Sequence, residues 1–373
     1  MSEQESRHHP GLSGQGPIQR IVPALWFDGC APQAVEFYTD AFARALAHDA
    51  QALAGTGIVA TSHYPEQGLA EGQARMAGKV LEIRFRLAGL ELSAINAGPQ
   101  HRPNPAISLM VHLDPQAHPD AEAHLDALWE ALAAEGRILM PVGRYPFSER
   151  FGWVEDRYGV SWQLLLGPAG RAVTASELGR AEEAAPSDRE RRPDPGARGV
   201  EIVPALMFPH GQGQAEKAAT QYVDLFARAF GASGSAGEQG GASQAEGPGA
   251  PVRSGADQMS FYPPQAGQGD RALMQGYVRL AGQRLTLMDS GVPHDFTFGM
   301  GVSLTVQCAT QEQVDLLWEG LSAVPEAEAC GWLKDRFGIS WTITPERMTE
   351  LIGRPGAWQT MTTMKKPTLA DFR

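Results

Sequence analysis

The sequence holds only three cysteines, Cys30, Cys308 and Cys330, and no two of them form a C-x-x-C pair. That count and spacing exclude a disulfide scaffold and a cysteine-built zinc site. No apolar run approaches the ~18 residues that a membrane span needs, and Met1–Pro17 is polar, without the apolar stretch of a secretion signal. Basic residues are also in deficit, with 31 Lys and Arg against 43 Asp and Glu, a net charge of −12. Broad binding to nucleic acid or to an anionic membrane needs clustered cations, so neither is expected as a partner. The expected compartment is the cytoplasm. Hydrophobic residues, by contrast, make up 43% of the 373 positions. They are ample for packed cores, and the length calls for more than one domain.

The chain repeats itself. Ile21-Val22-Pro23-Ala24-Leu25-Trp26-Phe27 returns as Ile202-Val203-Pro204-Ala205-Leu206-Met207-Phe208, and Arg86-Leu87-Ala88-Gly89 as Arg279-Leu280-Ala281-Gly282. Gly152-Trp153-Val154-Glu155-Asp156-Arg157-Tyr158-Gly159-Val160-Ser161-Trp162 returns as Gly331-Trp332-Leu333-Lys334-Asp335-Arg336-Phe337-Gly338-Ile339-Ser340-Trp341. This is a tandem duplication. Copies at 20–167 and 200–345 are expected, with a disordered tail at 1–19, a linker at 168–199 and a C-terminal tail at 346–373. Ala172–Ala185 could form a short helix within the linker, and three prolines follow it. The stretch 231–256 carries eight glycines in 26 residues and little to bury, so a mobile insertion is expected there.

Within each copy the periodicities alternate. In the first, Ile21–Phe27 reads as a strand, and Ala34, Phe37, Tyr38, Ala41 and Phe42 line one face of a helix beginning near Ala31. Ile58–Tyr64, Val80–Leu87 and Leu90–Ile95 read as strands, the last two joined by an Ala88-Gly89 hairpin turn. Strand Ala106–Leu113, a helix over 119–135 and strands Ile138–Val142, Arg150–Glu155 and Ser161–Leu166 complete the copy. Each copy thus reads β-α-β-β-β twice.

The Pro-x-Leu-x-Phe opening, the Phe37-Tyr38 helix, Trp26-Phe27-Asp28-Gly29, Ala106-Ile107-Ser108 and Cys330 to Pro345 together resemble the vicinal oxygen chelate superfamily. That superfamily holds glyoxalases, bleomycin-resistance proteins and extradiol dioxygenases. Within it the chain is similar to the PhnB-like branch, often labelled 3-demethylubiquinone-9 3-methyltransferase-like. The resemblance implies an α+β fold of tandem glyoxalase-like domains, each pairing its two βαβββ units into a half-open eight-stranded barrel, or cup. It also implies that single-copy relatives pair as homodimers. The duplicated chain is therefore expected to be a pseudo-dimer, with a further homodimer left open.

In metal-binding members the ligands come from the first and last strands of each unit. Counting from Phe37 puts Pro23 and, in the second copy, Pro204 at the first position; Ser108 and Ser303, then Gln163 and Thr342, take the others. That set offers neither imidazole nor carboxylate, so no metal and no cofactor are expected. A methyltransferase site would need a Gly-rich strand-to-helix turn beside a parallel β-α-β pattern, and none occurs. Asp156 and Asp335 read as turn-holding residues.

The expected function is a metal-free small-molecule-binding protein. Its lining would comprise Leu25, Phe27, Ser108 and Gln163, with Trp26, Trp153 and His101, and Ser303, Thr342 and Trp332 in the second copy. Asn96 and Asp289 are placed near the rim, and His112, Arg84 and Arg86 are read as partly solvent-facing. The alternative is an enzyme (lyase, isomerase or oxygenase type) acting on a small oxygenated substrate in the first-copy cup, using Gln163, Ser108 and His101.

Overall fold

A computed structural model describes residues 18–170, 199–209, 213–231, 254–263, 272–346, 348–354 and 356–372. The expected tail at 1–19, the 168–199 linker with its short helix and the 231–256 insertion lie almost entirely outside the described residues.

The first copy runs β1 (Ile21–Phe27), α1 (Ala31–Ala45), α2 (Ala50–Ala54), β2 (Gly57–His63), β3 (Val80–Leu87), β4 (Leu90–Asn96), β5 (Ile107–Leu113), α3 (Ala121–Ala133), β6 (Arg137–Tyr145), β7 (Ser148–Glu155) and β8 (Ser161–Leu166). The second continues with β9 (Val200–Phe208), α4 (Gln214–Phe230), β10 (Gly255–Phe261), β11 (Leu273–Leu280), β12 (Gln283–Asp289), β13 (Val302–Cys308), α5 (Gln311–Leu321), β14 (Trp332–Lys334) and β15 (Ser340–Pro345). Two short helices close the chain, α6 (Met348–Leu351) and α7 (Ala357–Thr363). The predicted hairpin turns are present. Ala88 and Gly89 have φ of 46° and 91°, and Ala281 and Gly282 have 45° and 84°, both residues of each pair being left-handed as a type I′ turn requires.

Two sheets form, ordered β14-β15-β13-β1-β4-β3-β2 and β10-β11-β12-β9-β5-β8-β7-β6. Both are open, as the resemblance implies, but their composition corrects the expected pairing within each copy. β1 pairs antiparallel with β13, Ala24 opposite Ser303, and β9 pairs with β5, Ala205 opposite Ser108. Each sheet therefore joins the first unit of one copy to the second unit of the other. Strand periodicity could not choose between these arrangements, because β5 and β13 are homologous and present equivalent faces to β1. The last unit also holds three strands where its counterpart has four. The chain between α5 and Gly331 is much shorter than that between α3 and Gly152, which leaves no length for a counterpart of β6.

The helices lie between the sheets. Tyr38 and Phe42 of α1 pack on Trp162 of β8, ring centroids 5.4 and 5.8 Å apart. Tyr222 and Phe226 of α4 pack on Trp341 of β15 at 5.3 and 5.7 Å. Asp156 and Asp335 hold the turns, as expected. Asp156 Oδ1 accepts from the backbone of Tyr158 and Val160 and Oδ2 from Trp162 Nε1. Asp335 makes the same three bonds with Phe337, Ile339 and Trp341. Burial pushes the Asp156 carboxyl up to about 6 and raises Asp335 in the same direction. Asn96 and Asp289 do not sit free at a rim. Asn96 Oδ1 accepts from Ala31 N at the start of α1, and Asp289 Oδ1 from Gln214 N and Ala215 N at the start of α4. Each anchors a helix to the neighbouring strand.

Candidate functional site

Side chains alternate across each strand, so the face of each sheet turned away from the helices can be read off the core. Ile21, Leu25 and Phe27 join α1 in the main hydrophobic core. Leu25 and Phe27, expected to line a cup, are thus on the helix side, and Val22, Ala24 and Trp26 occupy the outer face of β1. Counting from Phe37 had set the strand face one residue out of phase. By the same alternation Ser303, Ser340, Thr342 and Trp332 lie on the outer face of the seven-stranded sheet. Ser108, Ser161, Gln163 and Trp153 lie on the outer face of the eight-stranded sheet.

The sheets therefore divide the predicted residues between two faces. On the seven-stranded sheet, Trp26 contacts His101 edge-on at 4.8 Å and Trp332 at 6.0 Å between ring centroids, and its Nε1 donates to Gly98 O. Beside them, Ser303, Ser340 and Thr342 are 0%, 1% and 7% exposed, and none of their hydroxyls has a hydrogen-bond partner. Leu304 pairs with Trp341, so Ser303 and Ser340 are neighbours on adjacent strands, with Thr342 next along β15. The C-terminal segment spans this sheet from edge to edge. Trp358 packs on Tyr64 after β2, and further on Met364 O and Lys365 O accept from Cys330 N and Gly331 N before β14.

On the other face the serine hydroxyls are paired and apolar side chains pack over the strands. Ser108 and Ser161 share a 2.8 Å hydrogen bond, and Trp153 Nε1 donates to Ser161 Oγ. Phe151, Trp153 and Met207 form a cluster with Met140, Tyr145, Phe147, Leu165, Met288 and Phe296 against them. Gln163 is buried there with its Nε2 unpartnered.

Farther along the same face, His112 is buried rather than half-exposed, with Nε2 3.3 Å from Tyr277 Oη. Burial first, then the nearby Arg284 charge, drives its imidazole down to about 3. Arg84 is also buried, whereas Arg86 stays partly exposed, as expected, and both pair with the Glu91 carboxylate. Tyr277 went unnoticed in the sequence because an isolated Tyr in a strand carries no pattern.

The residues present do not fit a superfamily-type metal. The outer face of β1 offers Val22, Ala24 and Trp26, and the remaining expected positions offer hydroxyls and an amide, with no anionic or imidazole donor among them.

The sequence profile of the family described as 3-demethylubiquinone-9 3-methyltransferase matches residues 19–165 and 254–344, well over half of the chain. A Bacillus cereus protein described as a putative 3-demethylubiquinone-9 3-methyltransferase, PhnB protein, is 38% identical over 40% of this chain and 100% of its own, with a TM-score of 0.32. Glyoxalase I from Zea mays is 9% identical over 88% of this chain and 92% of its own, with a TM-score of 0.41. The fosfomycin resistance protein FosX from Listeria monocytogenes is 13% identical over 39% of this chain and 87% of its own, with a TM-score of 0.22. No curated protein matches the chain.

Proposed function

The chain belongs to the family described as 3-demethylubiquinone-9 3-methyltransferase, and we propose that it is a small-molecule-binding protein whose site is the outer face of the seven-stranded sheet. The ligand it suits is neutral, partly aromatic and oxygen-bearing, and it is held without a metal. One observation carries this reading: three adjacent buried hydroxyls, on Ser303, Ser340 and Thr342, have no partner. Buried polar groups are almost always paired, and leaving one unmade costs about 1–3 kcal/mol. A ligand presenting two or three oxygens would satisfy them, while Trp26, His101 and Trp332 would cover its apolar part. The equivalent hydroxyls of the eight-stranded sheet already bond each other, which makes that face the weaker candidate.

The enzyme alternative draws on Gln163, Ser108 and His101, but these do not share one face. Gln163 and Ser108 belong to the eight-stranded sheet, whereas His101 packs on Trp26. Methyl transfer is not proposed, since nothing in either copy resembles a nucleotide-binding turn. Thermal-shift titration with a set of uncharged aromatic and oxygenated compounds tests the reading. Compounds that stabilise the wild type should stabilise Thr342→Val much less. If none stabilises the wild type, or if the variant responds equally, the site is misassigned.

A further inference from the structure

We infer that His118, Asp120 and His124 form a site for one divalent transition-metal ion, outside both sheet faces and independent of the ligand reading above. One ligating atom from each of the three residues lies within 4.8 Å of the others. Imidazole and carboxylate together suit zinc, nickel, cobalt or copper rather than calcium or magnesium. The decisive member is His124, one turn into α3. It is 4% exposed, yet neither of its ring nitrogens has a hydrogen-bond partner. A buried imidazole held for packing alone ordinarily donates its one N–H. Here the ring instead lies 4.7 Å from that of His118, centroid to centroid, with the Asp120 carboxylate alongside.

The surroundings are compatible with a cation. The positive end of α3 opposes one, but Asp120 stands at that end, and the buried Asp49 is close by. A Cβ on Gly199 would meet His118 Cβ at 3.0 Å and Asp49 Oδ2 at 3.4 Å. His118 Nδ1 accepts from Asp120 N at 3.3 Å; ligation through either nitrogen of that ring exchanges this long bond for a metal bond. Two imidazoles and one carboxylate leave a coordination position for water. The ion would tie the loop before α3 to the helix itself, where both meet the start of the second copy. Sequence reading missed the site because its spacing matches no ligand motif.

The test is calorimetric titration of the full chain with zinc chloride and, separately, cobalt chloride, whose visible absorption reports the ligand set. His8 and His9 are replaced by Ala in every sample to remove the tail histidines as competing ligands. One equivalent should bind, more weakly as pH falls because the imidazoles must be neutral. His118→Ala and His124→Ala should each lower affinity by more than about 100-fold, beyond the range seen for second-shell losses. Should His124→Ala fail to fold, the more exposed His118→Gln and Asp120→Asn decide the question. Absence of a stoichiometric site in the parent, or affinity unchanged by the His118 and Asp120 substitutions, overturns the inference.

Discussion

Ala24 of the first copy stands directly opposite Ser303 of the second, in the strand pair that joins β1 to β13. The same relation recurs between Ala205 and Ser108. Neither copy owns a complete sheet, and the proposed site draws Trp26 and His101 from one copy and Ser303, Ser340, Thr342 and Trp332 from the other.

Severing the copies should therefore expose paired edges rather than release two domains. Residues 18–170 alone keep β1 on β4 and β5 on β8 but leave the other edge of each strand unpaired, and unpaired strand edges recruit other chains. Because β5 is the homologue of β13, two such fragments can pair β1 with β5 reciprocally. Light scattering should report a fragment dimer, and a stable, fully folded fragment monomer would contradict the arrangement.

The unpartnered hydroxyls give opposite expectations for stability and for binding. Ser303→Ala or Thr342→Val removes a buried group that is unsatisfied in the free protein, so urea denaturation should show stability unchanged within about 0.5 kcal/mol, or increased. Binding of any ligand found by thermal shift should weaken by about 1–3 kcal/mol for the same substitutions. A clear loss of stability would mean these hydroxyls are paired in the free protein.

His112 sets an acid limit on stability. Its imidazole, at about 3 in the folded chain, lies below the ordinary 6.5, so between those values the unfolded chain binds the extra proton. Its contribution is complete above pH 6.5 and lost as pH falls towards 3, on the order of 5 kcal/mol at the extreme. The stability of His112→Leu should depend less on pH across that window. A histidine NMR resonance for His112 that titrates near its ordinary value would refute the burial argument.

Asp156 acts in the other direction. Its carboxyl, raised to about 6 from an ordinary 3.8, keeps a proton in the folded chain that the unfolded chain has released. That contribution is complete below pH 3.8 and lost as pH rises through 6, about 3 kcal/mol in all. Between pH 4 and 6 the wild type should therefore lose more stability than Asp156→Asn. Parallel curves for the two proteins would show that Asp156 does not titrate in this window.

The duplication, the strand order of the first copy, the Ala88-Gly89 turn and the roles of Asp156 and Asp335 were legible in the sequence because each is set by local spacing or local backbone demand. The exchange of units was not, since homologous strands offer equal partners and only the connection between copies distinguishes them. Trp26 and His101 were expected in one cup and Ser303, Thr342 and Trp332 in the other, and it is the exchange of units that brings them to one sheet. Leu25 and Phe27 were placed on the wrong face by a one-residue shift in the count, and a period of two turns such a shift into a complete inversion. The burial of His112 and of Arg84 depends on Tyr277 and Glu91, partners that pattern alone does not pair.

The shared construction of the sheets is tested most directly by disulfide trapping. Directly opposed residues of an antiparallel pair bring their Cβ atoms to about 4.5–5.5 Å, close to the separation that a disulfide needs. Two double variants are compared after mild oxidation, Ala24→Cys with Ser303→Cys and Ala24→Cys with Ser108→Cys, with the three native cysteines replaced by Ser. The exchanged arrangement predicts an intrachain cross-link for Ala24 with Ser303 and none for Ala24 with Ser108. The reverse result would show that each copy closes on itself and that the proposed site is not shared between them.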